Sequence, residues 1–180
     1  MVNVIFFDTK KVNYMNKVIF GILIAISLIT LSFYAYNYHY KPKKEPADII
    51  KAIMDYKMPH VIARCQKDYN YTDEDMVILE QELKKYLALS AVKAKDELGT
   101  GMFSSHVDNL WHSFILFTKE YEEFCNNYIG YFVHHMPEID KENRSLEKRK
   151  ESLKDFEAFI KNYEETFHEE IHPIWILDMC

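Results

Sequence analysis

The segment TDEDMVILEQELKKYLALSAV, residues 72–92, decides the reading of the fold. Thr72 is a capping residue, and Asp73, Glu74 and Asp75 follow it where the free N–H groups of a first helical turn carry partial positive charge. Met76, Leu79, Leu83, Leu87 and Val92 then recur at helical spacing, which predicts one apolar stripe along a long helix. The same period extends outward. Upstream, Pro46 suits a first helical position, and Ile49, Ile50, Ile53 and Met54 share a face. Pro59 interrupts, and Val61, Ile62 and Cys65 continue, which predicts two short helices. Downstream, Gly99 and Gly101 break the chain and Ser104 or Ser105 can cap a helix carrying Leu110, Trp111, Phe114, Ile115 and Phe117. Thr118 is expected to cap a further helix with Tyr121, Phe124, Cys125 and Tyr128, ending near Gly130. After a turn at Pro137, a charged helix is expected from Asp140, with Leu153, Phe156, Ile160, Tyr163 and Phe167 on one face and Pro173 at its end. No alternating β-branched run of strand length occurs. The expected class is therefore all-α: about six helices around one core over residues 46–180.

Ahead of that domain, residues 18–36, VIFGILIAISLITLSFYAY, carry no charge. At about 1.5 Å per residue such a helix matches the hydrocarbon layer, so a single transmembrane helix is expected. It is preceded by an N-terminal tail, residues 1–17, and followed by a basic juxtamembrane linker, residues 37–45. A cleaved signal peptide competes, but the run is longer than a usual signal core and ends in bulky SFYAYNYHY. Tyr34, Tyr36, Tyr38 and Tyr40 suit a headgroup interface. Lys10, Lys11 and Lys17 balance Lys41, Lys43 and Lys44 across the span, and a start at Met15 leaves Lys17 alone on the first side. That count, with three cysteines in no disulfide pattern, favours a cytoplasmic domain.

The 180 residues hold 22 Lys and Arg against 28 Asp and Glu, a net charge of −6. Residues 1–44 contribute six lysines and one acid, or +5, which leaves 16 bases and 27 acids, or −11, for residues 45–180. Nucleic-acid affinity rests on clustered Lys and Arg, so no nucleic-acid partner is expected. A membrane through residues 18–36 and a protein partner are. Glycine-rich phosphate loops and G-x-S-x-G are missing from the sequence, which sets aside several enzyme classes.

Chemistry concentrates in VDNLWHSFILFTKEYEEFCNNYIGYFVHHMP, residues 107–137. Asp108 and His112, four apart, share a helix face, and Cys125, His134 and His135 complete a set of carboxylate, imidazole and thiol donors suited to Zn or Fe. The spacing matches no zinc signature. The same residues equally suit packing: His112 bonded to Asp108, Cys125 as a small buried hydrophobe, and His134 and His135 at a helix end. A second motif, His168-Glu169-Glu170-Ile171-His172, has the H-E-x-x-H form of zinc proteases. Pro173 disfavours helical geometry at His172, so a solvated helix end is the expectation there.

The tract Asp108-x-x-Trp111-His112-x-Phe114-Ile115-Leu116-x-Thr118-x-x-Tyr121-x-x-Phe124-Cys125, then Gly130-x-Phe132-x-His134-His135-x-Pro137, resembles the bacterial branch of the glycine-rich domain-containing protein-like family. Glu82-Leu83-Lys84-Lys85-Tyr86-Leu87 and Pro173-x-Trp175 are similar to its flanks. The resemblance implies a helical domain, with Asp108, Trp111, His112, Tyr121, Cys125 and His134 or His135 at motif positions, and no single reaction. A transmembrane segment and a missing glycine-rich portion depart from that family. The expectation is a single-pass membrane protein whose all-α domain is an interaction module with a His/Cys metal or redox site; the alternative is a metal-dependent enzyme using His112, Cys125, His134 and His135.

Overall fold

The computed structural model describes residues 9–39, 45–93, 101–135 and 145–177, which contain seven α-helices and no strand. The linker lysines Lys41, Lys43 and Lys44, the Gly99 break, the Pro137 turn, the Asp140 helix start, and Cys180 lie outside the described residues, as do the side chains of Tyr36, Tyr38 and Tyr40. Two compact units make up the chain, Met1–Lys43 and Lys44–Cys180.

The first unit holds α1, Thr9–His39. Within it Lys17–Tyr34 has a mean hydropathy of 2.1 and is long and apolar enough to cross a membrane, a test that a signal sequence also passes. Ile22, Leu23, Ile24, Ile26 and Leu28 are exposed on several sides of this helix, and a helix apolar all round is stable only when surrounded by lipid or protein.

In the second unit, α2 (Pro46–Met54) and α3 (Pro59–Tyr69) both begin on proline, whose fixed φ and missing N–H suit a first helical position. Helix α4, Asp73–Val92, opens with a capping box: the Thr72 hydroxyl accepts from Asp75 N–H and the Asp75 carboxylate accepts from Thr72 N–H. Hydrogen bonds donated to it by the Thr72 N–H and the Thr72 hydroxyl hold the Asp75 carboxyl below its usual range. The stripe of Met76, Leu79, Leu83 and Leu87 is buried as its period predicts. Beyond Gln81, however, the helix has no solvent face: residues 82–90 are all buried, Glu82, Lys84, Lys85 and Ser90 among them. Helices α2, α3, α5 (Ser105–Ile115), α7 (Leu146–Phe167) and the turn after α6 (Thr118–Phe124) surround it. Each large apolar side chain buried this way contributes about 1.5–3 kcal/mol.

Three expectations change. Thr118 is the first residue of α6 and its side chain does not cap; Phe117 holds that place. Leu153 is half exposed and Phe159 is fully buried, so the inward face of α7 is Phe156, Phe159 and Tyr163. Helix α7 stops at Phe167, well before Pro173, because His168 adopts a left-handed conformation (φ 56°) and its N–H closes on Glu164 O at 2.9 Å.

Candidate functional site

Helix α5 is started by Ser104, whose hydroxyl accepts from Val107 N–H, and this register places Asp108 and His112 on one face a turn apart. His135 reaches the same place from the other side. After α6 the helix widens into a π turn, Cys125–Ile129, closed by Gly130 N–H on Cys125 O at 2.8 Å. Gly130 sits at φ 94°, a conformation open to glycine at little cost, and the chain then runs back over α5 as residues 131–135.

That return is pinned by hydrogen bonds. Trp111 Nε1 donates to the Tyr121 hydroxyl at 3.0 Å, which in turn donates to Val133 O at 2.7 Å. Val133 N–H is held by the Cys125 sulfur. Tyr131 donates to Ser90 O at 2.6 Å. The His135 ring consequently lies edge-on to Trp111, with ring centres 4.7 Å apart, and 4.3 Å from His112. Its Nε2–H donates to Asp108 Oδ1 at 2.6 Å, while His112 Nδ1 stands 3.7 Å from Asp108 Oδ2. Donor atoms of Asp108, His112 and His135 all fall within 4.8 Å of one another, the only such group of three among the described residues.

Cys125 and His134 do not join them. Cys125 is fully buried and bonds to Tyr121 and Val133, and burial pushes its thiol up, away from the thiolate that metal binding uses. His134 is exposed and lies against Phe132. Successive residues of an extended segment point to opposite sides, so only one of the two adjacent histidines can face α5. The H-E-x-x-H segment forms no site either. His168 is the left-handed cap of α7 and His172 begins a short 3₁₀ turn, Pro173–Trp175, with Nδ1 accepting from Ile174 N–H.

Glu169 nevertheless has a partner that its sequence context conceals. It bends back with the chain at His168 and meets Lys85 of α4. Lys85 Nζ also donates to Glu82 Oε1 at 2.9 Å and to the Tyr163 hydroxyl at 2.8 Å, using all three of its N–H groups. Trp175 Nε1 donates to Glu82 Oε2 at 2.7 Å, and the Tyr163 hydroxyl lies 3.0 Å from Glu82 Oε2 and from Glu169 Oε1. Burial, then the Glu82 charge, keeps the Tyr163 hydroxyl protonated far above its usual range, and the Lys85 hydrogen bond holds Glu169 below its own. The helix end is solvated as expected, with His168, Glu169 and Glu170 all exposed, but Glu169 also ties it to the buried Glu82–Lys85 pair. The sequence signal of this network is faint: Glu82 and Lys85 lie i,i+3 inside an apolar helix, and Trp175 follows Pro173 by two.

A family model described as UCP032817-like matches residues 49–172. The chain belongs to the UCP032817-like family. It is an uncharacterised family, and the match corrects the resemblance to a glycine-rich domain-containing protein: the tract from Asp108 to Pro137 lies within the UCP032817-like region, and no glycine-rich domain family is found. The residues behind that resemblance serve mainly packing and internal bonding, with Trp111, Tyr121 and Cys125 all buried. A UCP032817-like chain therefore presents such a tract for reasons of its own core. No curated protein and no solved structure matches the chain.

Proposed function

We propose that this UCP032817-like protein is a membrane-anchored helical module that holds a divalent transition-metal ion, Zn²⁺ or Fe²⁺, on Asp108, His112 and His135. The observation that supports this reading is the convergence of two imidazoles and one carboxylate from separate chain segments within 4.8 Å. Around a tetrahedral Zn²⁺ with bonds near 2.0–2.1 Å, donor atoms lie about 3.3 Å apart. The two separations here run to different oxygens of Asp108, 2.6 Å from His135 Nε2 to Oδ1 and 3.7 Å from His112 Nδ1 to Oδ2, so a small rotation of the carboxylate and rings is needed to bring one oxygen and both nitrogens onto the ion. The ion would bind the Nε2 lone pair of His135 with the ring proton carried on Nδ1, and protons compete with it for both imidazoles, so binding weakens as pH falls.

Three protein donors leave a coordination position open, and His112, 40% exposed, faces solvent beside it. In an interaction module that position receives a side chain of a protein partner. In the alternative, a metal-dependent enzyme, it holds water, as sites with three protein ligands do. Helix α1 is retained as the anchor, and two buried free cysteines, Cys65 and Cys125, accord with a domain on the reducing, cytoplasmic side.

Metal analysis of the full chain, purified in detergent without a polyhistidine tag, tests the site. One equivalent of Zn or Fe is expected, retained in Cys125→Ala and lost in His112→Ala and His135→Ala. Folded, metal-free wild type sinks both versions. A reporter fused after Cys180 that is active only outside the cytoplasm overturns the orientation.

A further inference from the structure

Within α4, Tyr86 is 4% exposed, and its ring is enclosed by Trp111, Trp175 and Phe159 at 5.4, 6.0 and 6.1 Å between centres. The ring is well packed. Its hydroxyl, however, makes no hydrogen bond to any described residue, whereas the hydroxyls of Tyr121, Tyr131 and Tyr163 donate to Val133 O, Ser90 O and Glu82. A polar group shut away from water without a partner is costly, and one that persists in a fold calls for an explanation.

Its surroundings supply one. Burial, then the Asp108 charge, then Tyr131, hold the Tyr86 proton in place well above the usual range, so the group is an unspent O–H donor. Asp108 lies three residues before Trp111 on α5, and His135 lies against the same indole that packs on Tyr86. The hydroxyl therefore faces the inner side of the Asp108 cluster, under the returning segment 131–135. Asp108 has the complementary shortage. Its Oδ1 accepts from His135 Nε2–H at 2.6 Å, but Oδ2, 3.7 Å from His112 Nδ1, has no hydrogen bond to a described residue. An ion on His135 Nε2 removes the Oδ1 bond as well, and the carboxylate must turn to give one oxygen to the ion. The other oxygen then needs a donor, and carboxylates that ligate metals are generally held by such a bond from a residue behind them.

We propose that Tyr86 is the positioning residue of this site: its O–H donates to the Asp108 oxygen that the ion does not use and fixes the carboxylate in its ligating orientation. The inference rests on the metal reading and adds to it a residue of α4 that touches no ion. A hydroxyl that gains its bond only when the site is filled stabilises the filled state and does nothing for the empty one. That separates it from a structural hydroxyl.

Tyr86→Phe removes the oxygen and keeps the packed ring. In the full chain in detergent, without a polyhistidine tag, zinc affinity measured against a chromogenic chelator is expected to fall roughly ten- to hundred-fold in this variant. After treatment with chelator, its urea midpoint should equal or exceed that of the wild type, because an unbonded buried oxygen is gone. Tyr163→Phe, whose hydroxyl bonds within the Lys85 network, should do the reverse: a lower midpoint and unchanged zinc affinity. A wild type that binds zinc and a Tyr86→Phe variant that binds it equally well overturn this inference and leave the metal site standing. A chelated Tyr86→Phe chain that loses stability as Tyr163→Phe does also overturns it, since the hydroxyl would then be bonded in the empty site. A folded wild type that takes up no zinc removes the metal reading and this inference with it.

Discussion

The two polar clusters of the domain are built oppositely. Around Lys85, every donor of the ammonium is used, Glu82 and Tyr163 are shut away from water, and the parts come from α4, α7 and the segment after it. Around Asp108, the carboxylate is a quarter exposed, His112 more so, and one of the two ion-pair distances is too long for a hydrogen bond. A saturated interior cluster holds helices in place. An unsaturated one at the surface is free to take up something else. The difference teaches that histidines and a cysteine advertise chemistry in a sequence, whereas the groups on which the fold depends can look like ordinary surface charge.

The contrast is most easily broken at Lys85. Lys85→Met leaves Glu82 buried without its cation, and a loss of about 3–5 kcal/mol is expected in denaturant unfolding. A change below about 1 kcal/mol would mean that the network is not structural. Next comes Tyr163→Phe, which strips one hydroxyl from between the two glutamates and should cost about 1–3 kcal/mol by the same measurement.

A smaller effect is expected from acid. The Glu169 carboxyl binds its proton less readily in the folded chain than in the unfolded one, so its contribution is complete above about pH 4.5 and fades as pH falls below that value. Glu169→Gln should flatten this part of the stability profile, by under about 1 kcal/mol because the side chain is 45% exposed and screened. An unchanged acid limb in the variant would remove Glu169 from the account. Smallest of all, His112→Ala should shift unfolding by no more than about 0.5 kcal/mol while abolishing metal uptake. A large destabilisation there would make His112 a packing residue and erase the distinction between the clusters.

Much of the helical plan was open to reading from sequence because it rests on local causes. Pro46 and Pro59 start helices whatever surrounds them, and Thr72 with Asp75 closes its box within four residues. Asp108 and His112 were paired for the same reason, their i,i+4 spacing. What stayed hidden depends on partners far away in the chain. Nothing local marks Lys84 and Lys85 for burial, and it is the arrival of Met54 O at one, and of Tyr163 and Glu169 at the other, that accounts for it. Choosing His135 over His134, and leaving Cys125 out, required the path of residues 131–135, which is set by Gly130 and Tyr121. The left-handed turn at His168 has only a weak signal in its side chain, since histidine is enriched in that region but few histidines adopt it.

The interior network carries a consequence for how the domain is made. Glu82 and Trp175 are 93 positions apart, and Lys85 and Glu169 are separated by 84. During synthesis α4 emerges from the ribosome with its glutamate and lysine already fixed a turn apart, but the tyrosine, second glutamate and indole that neutralise or bond them arrive much later. Until then the half-made domain must keep that end of α4 wet or shielded by a chaperone. Its folding should accordingly be slow to commit, with the closing step set by capture of the Glu169–Trp175 segment rather than by formation of the helices themselves.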